Sequence, residues 1–173
     1  MLSIWSGPHG GLPPWDELHP HDFQPLFETA IADALAEFTA IVDQPEAPTF
    51  DNTIVALERV GRPLKQLRAM FRVHCRNLGV GDMPEIEQAI RPLLVAYDNQ
   101  VSLNQPLFAR IDAIYQQRHS LDTEAQRLVE KRHDSYRRAG ANLLEAEKAQ
   151  LAELNQQLAS LETAFRQNLT KAQ

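Results

Sequence analysis

Apolar residues recur at three- and four-residue steps along almost the whole chain, the spacing that places them on one face of a helix. From Asp22 onward the series reads Phe23, Leu26, Phe27, Ala30, Ile31, Ala34, Leu35, Phe38, Ile41 and Val42. The Gln44–Pro48 stretch should end this helix, because a residue before proline disfavours the α conformation. Thr49 or Asp51 can cap a second helix with the apolar face Ile54, Leu57, Val60, Leu64, Leu67, Met70 and Phe71. Gly61 and Pro63 fall inside that run and predict a kink or short break. Gly79-Val80-Gly81 is a stop, after which Asp82 should cap a third helix bearing Ile86, Ile90, Leu93, Leu94, Tyr97 and Val101, bent at Pro92.

Asn104 and Pro106 open a short fourth helix with Leu107, Phe108, Ile111, Ile114 and Tyr115. Asp122 opens a fifth, carrying Leu128, Val129 and Tyr136 and stopping near Gly140. The sixth, from Leu143 onward, is dense in the strong helix formers Ala, Leu, Glu and Gln. Nowhere do β-branched residues alternate cleanly between turn signals, and no fixed-period repeat is present. The fold class predicted is therefore all-α, an antiparallel bundle of about six helices. Residues 1–20 stand apart. Trp5, Gly7, Pro8, Gly10, Gly11, Pro13, Pro14 and Trp15 predict an irregular arm that packs on its own domain or on another module, ahead of a helical domain over 21–173.

Composition narrows the possible functions. The 173 residues are 43% hydrophobic and 23% charged, with a formal net charge of -6. Such a balance opposes broad nucleic-acid binding, which needs surplus Lys and Arg against phosphates. No apolar run is long enough to span a membrane, and the start lacks the basic and apolar regions of a secretory signal. The single cysteine, Cys75, fits a reducing compartment, so a cytoplasmic location is expected, subject to any export signal further upstream.

The search for chemistry yields fragments rather than a site. His19 and His21 could join a carboxylate such as Asp16, Glu17 or Asp22 around zinc, but two loop histidines with so little support read better as solvated. His74 and Cys75 are neighbours on a helix, so their side chains diverge by about 100° and cannot chelate together. His119 and His133 have no partner three or four residues away that would complete a metal site. Gly-x-Ser-x-Gly, Walker and His-Glu-x-x-His sequences are all missing. No catalytic residue, metal ligand or cofactor is assigned to this segment.

Two surface patterns remain. Arg62, Lys65, Arg68, Arg72 and Arg76 form a basic stripe that could contact an anionic substrate or another domain, such as a peptide's terminal carboxylate. The favoured alternative is a solvated face with local ion pairs. Leu144, Leu151, Leu154, Leu158, Leu161 and Phe165 could form a coiled-coil seam. An edge helix packed on its own domain is preferred, since two to three heptads are few.

Several stretches in series carry a resemblance. They are Pro13-Pro14-Trp15-Asp16-Glu17-Leu18 with His21-Asp22-Phe23-Gln24-Pro25-Leu26-Phe27, then Pro48-Thr49-Phe50-Asp51-Asn52-Thr53-Ile54-Val55-Ala56-Leu57-Glu58, then Leu107-Phe108-Ala109-Arg110-Ile111. Gln126-Arg127-Leu128-Val129-Glu130, Ala139-Gly140-Ala141, Leu151-Ala152-Glu153-Leu154-Asn155 and Phe165-Arg166-Gln167-Asn168-Leu169 follow. In order and spacing these resemble the N-terminal region of the thimet-oligopeptidase-like zinc metallopeptidases, on the peptidyl-dipeptidase side of that family. The resemblance implies a helical enzyme of two halves around a deep channel, with zinc held by His-Glu-x-x-His in the C-terminal half. This sequence ends at Gln173, short of that motif, so no catalytic or zinc residue carries over. It implies a non-catalytic lid and channel-wall domain whose partners are the C-terminal catalytic domain and peptide substrates. The competing expectations are a free-standing helical interaction module using the Leu151–Phe165 face, and a small metal-binding protein using His19 and His21.

Overall fold

The computed structural model describes residues 11, 13, 15, 18–77 and 81–171. A 3-10 turn at Pro20–Asp22 leads into α1, Phe23–Val42. A π-helical turn at Phe50–Val55 runs into the short α2, Ala56–Arg59, followed by α3, Arg62–Asn77. Then come α4 (Met83–Ser102), α5 (Gln105–Gln116), α6 (Thr123–Ala139) and α7 (Glu145–Lys171). Among the described residues there is no strand. The all-α expectation holds, with six long helices and one short one among the described residues.

Local chemistry sets the boundaries. The Thr49 hydroxyl accepts from the Asn52 N–H while the Asn52 side chain accepts from the Thr49 N–H, a reciprocal cap. Asn104 and Asp122 accept from the Leu107 and Ala125 N–H groups and start α5 and α6. Gly140 ends α6 in the left-handed region at φ 97°. The break expected around Gly61 and Pro63 is real: α2 stops at Arg59, and Gly61 turns at φ 64° with its N–H donated to Glu37 Oε2 at 2.8 Å. Asp82 sits ahead of α4 without capping it, because its side chain accepts no helix N–H. α4 runs through Pro92 unbroken. The Gly79-Val80 part of the preceding stop lies outside the described residues, as does residues 1–10 of the arm.

Two cores meet along α1. Its N-terminal half supplies Phe23, Phe27, Ala30 and Ala34 to a cluster with Leu64, Leu67, Met70 and Phe71 of α3 and Met83, Ile90 and Leu94 of α4. Its C-terminal end supplies Phe38 and Ile41 to a second cluster with Ile54, Val60, Leu107, Ile111, Val129 and Tyr136. Phe23 pairs with Phe71 near the end of α3, whereas Ala34 approaches Gly61 before its start, so α1 and α3 are antiparallel. The described part of the arm packs on its own domain: Leu18 is buried, and the Trp15 ring lies 5.8 Å from His74. Arg110 ties the loop after α1 to α5, donating to the carbonyls of Gln44 and Glu46 at 3.0 and 3.2 Å. Thr49, Asn52 and Arg110, all within stretches that carry the family likeness, are thus parts of the scaffold.

α7 packs most extensively on α4. Asn155 donates to Asn99 Oδ1 at 2.7 Å, Gln156 to the Pro92 carbonyl at 3.2 Å, and Gln167 to the Pro84 carbonyl at 3.0 Å. These pairs descend along α4 as they climb α7, which makes the two antiparallel. The inward face of α7 thus carries three amide side chains alongside the buried Lys148 and Thr163. Leu154, Leu158, Leu161 and Phe165 point away, the last two 68% and 65% exposed. The expectation of an edge helix packed on its own domain holds, but of the leucine series only Leu151 is half-buried there. α7 does pack on its own domain, but with the opposite face.

Candidate functional site

The basic stripe faces outward because Leu64, Leu67, Met70, Phe71 and His74 take the buried side of α3. At 3.6 residues per turn, the remaining arc carries Arg62, Lys65, Arg68, Arg72 and Arg76. The structure divides these five. Arg62 is exposed at the start of α3. Lys65 donates its ammonium to the Glu58 carbonyl at 3.0 Å and so closes the α2–α3 joint. Arg68 forks onto both oxygens of Asp98 at 3.2 and 2.8 Å and sits 5.3 Å from the Tyr97 ring centre. The planar guanidinium suits this bidentate contact.

Arg68, Arg72 and Arg76 line a cleft of about 280 Å³ between α3, α4 and the end of α7. Arg91 and Arg166 join them from the two other helices, and Phe71, Leu94 and Val95 supply apolar walls. Glu87 is buried at the cleft, accepts from Arg91 at 3.2 Å and forms an ion pair with Arg166 at 3.2 Å. A buried carboxylate is tolerated there because two guanidiniums compensate it. Five arginines and two carboxylates, Glu87 and Asp98, leave a local surplus of three positive charges on a chain whose net charge is -6. Arg72 and Arg76 form no ion pair among the described residues.

Cys75 lies in the same cleft. Burial, and secondly the Glu87 carboxylate, push its thiol up to about 12. It stays protonated near neutral pH and adds no charge, the behaviour of a structural rather than a nucleophilic cysteine. Sequence reasoning found the α3 half of this cleft. It missed the i,i+4 pair Glu87 and Arg91 on α4 and Arg166 on α7, which come from helices distant along the chain from the stripe.

A second cluster was also missed. His133 Nε2 lies 3.1 Å from Asp112 Oδ1 across α5 and α6, a partner 21 residues away rather than one turn away. Its ring stacks on Tyr115 at 4.0 Å, and Arg118 covers Tyr115 at 3.9 Å. The buried Nδ1 has no hydrogen-bond partner. His119 is exposed in the turn after α5. His74 is buried against Trp15 and Phe23, and burial lowers its pKa below 6.5.

His19 and His21 stack at 5.6 Å, and His21 Nε2 is 3.5 Å from Asp22 Oδ1. Asp16 and Glu17, the other carboxylates considered, lie outside the described residues. Among the described residues no group of three or more His, Cys, Asp or Glu side chains is placed to hold a metal ion. Nor is any described helix long and apolar enough to cross a membrane.

No family model matches the chain. Over 162 residues it is 37% identical to the dipeptidyl carboxypeptidase of Salmonella typhimurium and 36% identical to that of Escherichia coli. Each alignment takes in 92% of this chain. The chain is homologous to the dipeptidyl carboxypeptidases. It spans about a quarter of the length of these curated relatives, 24% in each case. The likeness read from the stretches between Pro13 and Leu169 thus extends over most of the chain.

Proposed function

We propose that this chain is the N-terminal helical domain of a zinc-dependent peptidyl-dipeptidase, forming part of the substrate channel and restricting entry to short, unfolded peptides. The observation that carries this reading is the homology over nearly the whole chain to proteins about four times its length, 24% of each being covered. The hydrolytic machinery and zinc belong, on this reading, to a catalytic domain beyond these residues. The outward leucines of α7 support it, because large exposed apolar surfaces on one helix mark an interface. The catalytic domain of the same chain is the partner we assign to them, and peptides are the substrates of the whole. A cytoplasmic location accompanies the reading, resting on the single cysteine.

The test is peptide hydrolysis by these 173 residues beside the protein made from the complete reading frame. Release of dipeptides from peptide C-termini by the longer protein alone, stopped by a chelator, is the expected result. Hydrolysis by the 173 residues themselves would refute a non-catalytic role. The exposed α7 face also favours a second reading, a free-standing helical interaction module. A longer reading frame containing His-Glu-x-x-His decides against it.

A further inference from the structure

We infer that Trp15 is a pH-released latch, held on the domain by the neutral ring of His74 and let go when that ring takes up a proton. His74 stands near the end of α3 with 6% of its surface exposed, and its Nε2 is buried without a hydrogen-bond partner. The Trp15 ring lies 5.8 Å from it, and the Phe23 ring meets it at a steep angle 5.0 Å away. Burial lowers the pKa below 6.5, so the imidazole is uncharged near neutral pH. Among the described residues, the groups on the surrounding elements offer a cation there no counter-charge. In the turn ahead of α1, Asp22 accepts from the His19 N–H and pairs with His21, and both histidines are exposed. Glu28 of α1 and Asp82 and Glu85 at the start of α4 are exposed, while Glu87 is held by Arg91 and Arg166. On α3 itself, the Cys75 thiol is protonated, and Arg72 and Arg76 open onto the cleft described above.

An imidazolium at this position therefore has to be solvated by water, and its two aromatic neighbours differ in how readily they make way. Phe23 is fully buried and packs against Phe27 and Phe71 as well. Trp15 is already 40% exposed, and its N–H is spent within the arm on the Pro13 carbonyl at 2.8 Å. Lifting Trp15 admits water at the smaller loss of packing. A cation over the indole face would oppose release, but 5.8 Å with a 38° tilt is near the outer limit of that attraction. Leu18 is buried in the core of α1, α3 and α4, so the latch opens ahead of it and leaves the core intact. Linkage fixes the direction: docking weakens as pH falls below 6.5 toward the lowered value, by at most about tenfold per pH unit for one proton.

The experiment follows Trp15 emission in the 173-residue chain carrying Trp5→Phe, from pH 7.5 to pH 5.0. The emission maximum should move to the red and acrylamide quenching should rise, with a midpoint below pH 6.5 and an unchanged far-UV spectrum. Both readouts are needed, because an imidazolium can dim a neighbouring indole without moving it. Adding His74→Leu should remove the step and keep Trp15 docked throughout. The reciprocal variant, Trp15→Ala, checks the same coupling should His74→Leu fail to fold: the assigned His74 ring resonances should then titrate closer to 6.5 than in the intact chain. A step that is absent, that survives His74→Leu, or that coincides with loss of the helical spectrum overturns the proposal. So does a His74 titration left unmoved by Trp15→Ala. Since no hydrolysis is measured, any of these failures leaves the peptidase reading to its own test.

Discussion

α1 and α7 are both long amphipathic helices, yet they use their amphipathicity in opposite ways. α1 turns Phe23, Phe27, Ala30, Ala34 and Phe38 into the two cores and shows water its polar residues. α7 turns Asn155, Gln156 and Gln167 toward α4 and shows Leu154, Leu158, Leu161 and Phe165. For α1 the hydrophobic pattern reports the inside of this domain. For α7 it reports a surface this domain does not cover. A periodic apolar stripe therefore locates a helix face to be buried, without saying what buries it.

Substitutions in the two helices should separate these roles. Phe27→Ala removes a fully buried ring that meets Phe71 edge-on at 5.2 Å. It should cost about 3–5 kcal/mol in denaturant unfolding of this chain. Gly140→Ala comes next. A Cβ there would meet Leu143 and Leu151 at 2.8 Å while the backbone holds a φ of +97°. A loss of about 1–3 kcal/mol is expected from forcing a side chain into the left-handed region, read by the same unfolding curve.

The α1–α3 core also carries a pH dependence. His74 has a lowered pKa in the folded chain, so below the ordinary value of 6.5 the unfolded state takes up the proton first. More protons on the unfolded state means stability rises with pH in that window, and falls as pH drops from 6.5 toward the lowered value. Melting curves between pH 7 and pH 5 should show this loss, and His74→Leu should flatten it. An unchanged slope in the variant would assign the effect to other groups. The smallest effect belongs to α7. Leu158→Ser and Leu161→Ser should each stay within about 0.5 kcal/mol in this chain, since both side chains are already wet. In the longer protein proposed above, the same pair should lower the yield of folded protein if the stripe is the interdomain contact. Equal yields would remove α7 from that interface.

The charged surface repeats the lesson at the level of side chains. Five basic residues at helical spacing read as one stripe, but Lys65 closes a backbone joint, Arg68 is spent on Asp98, and Arg72 and Arg76 open onto a cleft. On the proposal that the chain belongs to a longer peptidase, Arg68→Glu with Arg72→Glu in that protein should weaken peptide turnover if the stripe lines the channel. Unchanged kcat and KM would place it elsewhere. The reversal at position 68 sets a carboxylate against Asp98, so stability must be measured alongside.

What the sequence by itself determined is the set of helices and most of their ends. Thr49, Asn104, Asp122 and Gly140 act within a few residues of themselves, and the apolar period is a property of each segment alone. The capping bonds span three residues and so are readable along the chain. Only the tertiary structure decided that α7 faces α4 with its amides, that Glu87 holds Arg91 and Arg166 together, and that His133 meets Asp112. The physical reason is separation. Burial and ion pairing depend on what stands opposite, and for Glu87 and Arg166 the partners are contributed by different helices.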